Sequence, residues 1–410
     1  LMSVERVWEA PRVTKPYSES QWQAIQALGR RIDDDLQTHD VRLTMGGEPT
    51  FVALDHPDDD EWNTTALGPN KRRLAADLFH RLRDHYAPKA LVHFGQGKWY
   101  PGEQLPRWAL GCYWRRDGEP AWHDPALFAD ERRNYGFGAF ESERFIRTLS
   151  SVLGVADTYV QAGYEDVWYY LWRERRLPAN VDPLDAKLDD PLERERLRRV
   201  FSQGLSHVVG HALPLAPAAD GSGTWHTGPW FLRADHLFLV PGDSPMGYRL
   251  PVDALPWVAQ ADYPYLRGFD PMDHRPPLPP AAALMPRMQS QVRDADDVMP
   301  GDVNAAAAHT DVSATATHTS AAAVAPAAHE SASWIVRTAL CTEARNGVLY
   351  VFLPPIAALE DYLRLVSAIE VTAGRLDLPV VLEGYAPPSD PRLQHFQITP
   401  DPGVIEVNIH

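Results

Sequence analysis

Asn304 to Ser333 contains thirteen alanines, eight serines or threonines and no aromatic residue. Such a stretch cannot bury enough apolar surface to offset the entropy of ordering it, and its Ser and Thr side chains compete for backbone groups that a helix needs. The preceding Pro271 to Pro300 carries seven prolines. Together they predict a disordered linker over 271–333, flanked by sequence with clear apolar periodicity. The expected organisation is an N-terminal helix and lead-in over 1–38, a first part of the main domain over 39–270, the linker, and a second part of the same domain over 334–410.

The 410 residues allow a large interior, and 13 Trp, 15 Tyr and 13 Phe exclude a wholly disordered chain. A net charge of −16 repels nucleic acid and anionic membranes, so neither is an expected partner. Two cysteines, Cys112 and Cys341, are too few for a disulfide framework, which fits a reducing compartment such as the cytoplasm. The chain starts at Leu1 without signal-peptide order and stops at His410 inside an apolar alternation. We therefore expect a longer parent chain.

Trp22, Ile25, Leu28, Ile32 and Leu36 recur at helical spacing after Ser18, a residue suited to capping, and Leu74, Leu78 and Leu82 mark a helix over Pro69 to Tyr86. Glu141 to Leu153, Glu165 to Arg176 and Pro191 to Gln203 read as a helical insert. Val41 to Leu54 and Ala90 to Phe94 read as strands, and Gly95 to Pro125 as an ordered loop region rich in Gly, Pro, Trp and Arg. Trp230 to Val240 and Trp334 to Leu353 have the pattern of hairpins, favouring antiparallel pairing over βαβ units. A helical stripe from Leu359 to Ile369 precedes three closing strands, Val380 to Leu382, Phe396 to Thr399 and Val404 to Ile409. The expected class is α+β, a curved antiparallel sheet with flanking helices.

Three acids interrupt or end apolar strands: Glu48, Glu383 and Glu406. Converging on one side of a sheet they would make a magnesium site, whereas a solvated sheet face accounts for them equally well. Lys71, Arg72 and Lys98 lie near a helix start or Gly-rich backbone and could bind phosphate, or could be plain charged surface. His207 and His211 have the spacing of paired zinc ligands, but no Glu follows the first and Gly210 weakens a helix. Cys112 with His123 would suit a thiol enzyme, although Trp108 to Trp114 reads as packed apolar sequence.

The runs Gly46-Gly-Glu-Pro-Thr-Phe51, Gly95-Gln-Gly-Lys-Trp-Tyr-Pro-Gly-Glu103, Pro241-Gly-Asp-Ser-Pro-Met-Gly247 and Thr399 to His410 resemble an uncharacterised bacterial amidoligase family. The resemblance spans nearly all of the chain outside the Ala-rich stretch. It implies a transglutaminase-like domain in the same parent chain and a glutamine synthetase-like fold with metal-binding glutamates on a concave sheet face. Glu48 then matches the first-strand ligand, and Glu406 and Glu383 the later ones. Thr50 stands where those ligases usually carry a second carboxylate, and their His-containing catalytic loop would begin beyond His410, so no catalytic residue is assigned. The implied reaction is ATP-dependent carboxylate-amine ligation with Mg²⁺ or Mn²⁺, in which an amine attacks an acyl phosphate. A thiol enzyme of transglutaminase type using Cys112, and a non-catalytic substrate-binding module, are the competing readings.

Overall fold

The computed structural model describes residues 18–39, 48–97, 106–182, 184, 190–234, 236–266, 268–270, 274–286 and 324–409. Helix α1, Glu19–Thr38, belongs to a small separate unit. It opens on a capping box: the Gln21 backbone N–H donates to Ser18 Oγ and the Ser18 N–H to Gln21 Oε1.

The second unit, Glu48–Ile409, contains the sheet. In chain order its elements are β1 Thr50–Phe51, α2 Pro69–Tyr86, β2 Leu91–Gln96, β3 Trp108–Arg115, α3 Ala139–Leu153, β4 Gln161–Glu165, α4 Val167–Arg175, α5 Pro191–Gln203 and β5 Val208–Pro214. There follow β6 Ala216–Pro217, β7 Trp225–His226, β8 Leu237–Leu239, α6 Ala281–Leu284, β9 Ala339–Arg345, β10 Val348–Leu353, α7 Leu359–Leu376, β11 Val380–Gly384, β12 Leu393–Asp401 and β13 Val404–Ile409. Eleven described strands form one sheet in the order β1-β13-β12-β3-β2-β11-β10-β9-β5-β4-β8. Strands from both sides of residues 287–323 interleave in it, with β12 against β3, β11 against β2 and β9 against β5.

The sheet is mixed, which corrects the all-antiparallel expectation. β11 runs parallel to both β10 and β2, and β8 parallel to β4. The β10–α7–β11 connection is a βαβ unit, since the 18-residue helix provides the long crossover that parallel neighbours need. The β9–β10 hairpin turns on Asn346 and Gly347, both at positive φ, as a tight two-residue turn requires.

Four further expectations change. The supposed loop region contains β3, an eight-residue strand in the sheet interior that is buried along most of its length and so carries no polar and apolar alternation in sequence. Among the described residues Trp230 to Val240 supplies β8 alone rather than a hairpin. Of the supposed insert, α3 packs on the sheet through Phe145, Ile146 and Leu149, whereas α4 and α5 pack on each other around Tyr170, Leu197 and Val200. Both ends of the supposed linker are packed: Leu278, Ala281, Leu284 and Ala332 are buried. Residues 287–323 lie outside the described residues.

Two staggered layers cover the sheet. On one face α3 and α7 pack against Leu213, Leu340, Leu349, Val351, Val380 and Leu382 of β5, β9, β10 and β11. On the opposite face α2 packs through Ala75 and Phe79 against Val92, Leu110, Cys112, Phe396, Ile405 and Val407 of β2, β3, β12 and β13. The face of those last four strands that looks away from α2 is where polar side chains gather. No described helix is long and apolar enough to cross a membrane.

Candidate functional site: a polar sheet face with a buried histidine

On β13, Ile405 and Val407 point into the α2 core, so strand alternation sends Glu406 and Asn408 to the other face. Thr50 of β1 and Thr399 of β12 lie directly opposite Glu406, one on each side. Asn408 Nδ2 donates to Thr399 Oγ1 at 2.9 Å, and the Thr399 hydroxyl donates to Glu406 Oε2 at 3.4 Å. The Val407 N–H donates to the Pro49 carbonyl, extending the pairing of β1 toward exposed Glu48. Glu48 itself lies two residues before Thr50, just outside strand β1.

Glu383 is elsewhere, and this corrects the three-glutamate expectation. Its strand neighbour Val381 packs with Val348 and Ala129, and its register partners Phe352 and Phe94 also face the α2 side. Four strand spacings separate β11 from β13, about 19 Å along the sheet. Arg345 holds the buried Glu383 carboxylate in a two-pronged pair, donates to Glu343 at 2.7 Å and stacks on Tyr350. Burial pushes the Glu383 carboxyl upward and the Arg345 charge opposes that. Among the described residues no three His, Cys, Asp or Glu side chains are grouped to hold a metal.

The expected phosphate-binding cations are also placed differently. Lys71 is buried beneath Trp62, its ammonium donating to the carbonyls of Asp401 at 2.9 Å and Thr65 at 3.1 Å. Burial lowers its pKa. It is thus a structural tie between the start of α2 and the β12–β13 turn. Arg72 pairs with Glu131 at 2.7 Å and stacks on Phe94 and Trp108, on the α2 face. Lys98 lies outside the described residues.

The thiol and zinc readings meet direct contrary geometry. Cys112 is fully buried in the α2 core, and burial pushes its thiol up to about 12. His123 is held by Glu370 of α7, whose carboxylate takes the imidazole at 3.0 Å and two backbone N–H groups. His211 meets the Ser142 hydroxyl at 2.9 Å within a buried network with Thr342.

What the sequence reading missed is a cleft of about 170 Å³ on the Glu406 side of β2, β3 and β12. It is lined by His93, Gly95, Gly111, Tyr113, Gln397 and, after the end of β11, Tyr385, with the Tyr113 ring lying close over Gly111. Gln397 donates to the Tyr113 hydroxyl at 2.9 Å, and Tyr113 stacks on His395. Tyr248 lines the same cleft and anchors it by donating to the Gly384 carbonyl at 3.0 Å. His93 is 1 % exposed, and burial brings its pKa down to about 4 although the carbonyls of Tyr385 and Glu383 favour a proton on the ring. Its Nε2 has no hydrogen-bonding partner. The signal was present as alternation of His93 with Gly95, readable only once β3 is recognised beside it.

Of the described motif residues, Glu406 and Asn408 lie on the side of the sheet facing away from α2, Thr50 is paired directly opposite Glu406, and Gly95 of β2 is three strands from β13. Pro241 to Gly247 leads directly into Tyr248, with Gly247 packed so closely on Phe352 that a Cβ there would lie 2.2 Å from the ring. Residues 1–410 match the family described as "Putative amidoligase enzyme" (DUF2126). The chain belongs to this amidoligase family. No curated protein and no solved structure matches it. Membership carries a ligase-type function in general terms.

Proposed function

We propose that this member of the amidoligase family forms amide or isopeptide bonds by ATP-dependent activation of a carboxylate on the polar face of β13, β12, β3 and β2. The observation that carries the reading is the linked group Glu406, Thr399 and Asn408 on that face, with Thr50, two residues after Glu48, paired directly opposite Glu406. The likeness to glutamine synthetase-like ligases is part of this proposal, and so is a transglutaminase-like domain elsewhere in a longer parent chain. Two free, buried cysteines fit a cytoplasmic setting.

Two carboxylates with a hydroxyl and an amide nearby are a donor set suited to magnesium, which is commonly held by one or two carboxylates together with substrate phosphates. Glu48 and Glu406 are the proposed holders. Bound there, Mg²⁺ or Mn²⁺ would neutralise phosphate charge during phosphoryl transfer. The chain's own part is positional. Thr399 orients the Glu406 carboxylate, Asn408 fixes Thr399, and the cleft around His93 offers uncharged hydrogen-bonding groups to a substrate. In the reaction the substrate carboxylate takes the γ-phosphoryl group and ADP leaves. The amine then attacks the acyl carbon, losing a proton, and inorganic phosphate departs.

The test is ATP turnover by the full-length protein against panels of amino acids, polyamines and peptides, with product masses measured. Glu48→Gln and Glu406→Gln should each abolish ATP-dependent product while leaving the melting temperature unchanged. Product formation that persists in both variants would overturn the assignment of this face, and absence of any nucleotide-dependent product would favour a non-catalytic binding module.

A further inference from the structure

A second cavity, of about 330 Å³, lies beyond the ends of β10 and β11. These strands run parallel, and the crevice outside the carboxyl ends of parallel strands is where such sheets commonly take ligands. Three segments build its apolar wall: Leu266 and Phe269, then Pro355 and Ile356 just after β10, then Pro388 and Pro391 after β11. Proline holds φ near −65°, so much of this wall is set before anything binds. Arg275 and Ser389 give it a polar edge. Asp390, whose side chain is fully buried, pins the Arg275 guanidinium, which lies 4.5 Å from the centroid of the Phe269 ring.

We infer that this cavity takes a bulky apolar side chain, aromatic or branched, of a peptide whose carboxylate, about six residues further along, is activated at Glu406. This assignment rests on the ATP-dependent ligase reading and adds to it the class of substrate. An apolar cavity of about 150 Å³ holds a benzene ring, so about 330 Å³ leaves room for the ring of a phenylalanine or tryptophan. Apolar walls with a few fixed polar groups select an apolar group and orient it. A guanidinium and a hydroxyl are both donors, suited to the carbonyls that a peptide backbone carries on either side of such a side chain.

Distance argues for a peptide over a free amino acid. Glu406 pairs with Thr399, whose neighbour Ile398 pairs with Leu110, Leu110 with Phe94, and Phe94 with Glu383 near the end of β11. Glu406 is therefore level with the end of β11 and four strand spacings across from it, about 19 Å. An extended chain advances about 3.3 Å per residue, so about six residues span the gap. The way between is continuous: Tyr385 and Ala386 line the cleft beside β2 and β3, and Pro388 of the same segment lines the cavity. A single amino acid with its side chain in the cavity would leave its carboxylate far short of Glu406.

The probe is an N-acetylated heptapeptide with phenylalanine first, a free C-terminal carboxylate, and alanine or serine elsewhere. In calorimetric titration of the full-length protein without ATP it should bind about ten-fold more tightly than the same peptide with alanine first. Phe269→Ala removes part of the wall and Ala357→Leu extends a lining side chain into the cavity. Each should abolish that preference at unchanged melting temperature. In ligation the phenylalanine-first peptide should show a KM about ten-fold lower at unchanged kcat. An equally low KM with phenylalanine placed beside the carboxylate would overturn the six-residue spacing. Equal affinity for the two peptides, or a preference that survives both variants, while ATP still supports ligation would overturn the pocket and leave the ligase reading standing. A variant-sensitive preference without any ATP-dependent product would support the pocket and remove the ligase reading.

Discussion

Acidification isolates the buried His93. Its pKa is brought from 6.5 to about 4 by burial, so between those values the unfolded chain binds a proton that the folded chain does not. Stability is therefore lost as pH falls through 6.5, and the loss levels off below about 4. The gap of roughly 2.5 units corresponds to about 3 kcal/mol in total. About 2 kcal/mol of it falls between about pH 7 and pH 5. His80 and His211 are shifted in the same direction by burial, so the whole protein will lose more than this share. Urea unfolding at those two pH values, in wild type and in His93→Leu, removes the common part by difference. The variant should lose about 2 kcal/mol less than wild type on acidification. An equal loss in both proteins, or an NMR titration of His93 centred on an ordinary histidine value, would refute the reasoning.

Three further outcomes follow from the geometry. Cys112 in the native protein should resist thiol reagents at about pH 8, where less than one thiol in a thousand would be ionised, and Cys112→Ala should retain ligation; rapid labelling of the folded protein would contradict its burial. Arg345→Met leaves two buried carboxylates without their shared cation and should cost about 2–4 kcal/mol, with a smaller loss when Glu383→Gln is added; a unitary double-mutant cycle showing no coupling would contradict the pair. Asn408→Ala removes the donor that fixes Thr399 and should reduce turnover more than it lowers melting temperature, read from steady-state kinetics beside a thermal melt.

Local pattern was enough to define several elements. The stripe of Leu74, Leu78 and Leu82 with Pro69 at the first helical position fixed α2, and Asn346-Gly347 between two apolar runs fixed the β9–β10 hairpin. Alternation in β13 separated Ile405 and Val407 from Glu406 and Asn408, because along one strand side chains alternate whatever its neighbours are. It also identified Glu48 and Glu406 as acids worth following. Only the tertiary structure decided which strands lie side by side and which of their faces coincide. β11 is buried along its whole length, so Val380 to Gly384 carry no polar and apolar alternation from which a face could be assigned. Its insertion between β10 and β2, parallel to both, turned Glu383 toward Arg345 and away from Glu406. The same non-local pairing set β2 beside β3 and brought His93, Tyr113 and Gln397 around one cleft, from segments separated by up to about three hundred residues. Periodicity is a property of one segment, whereas strand order and direction follow from the burial available to the whole sheet.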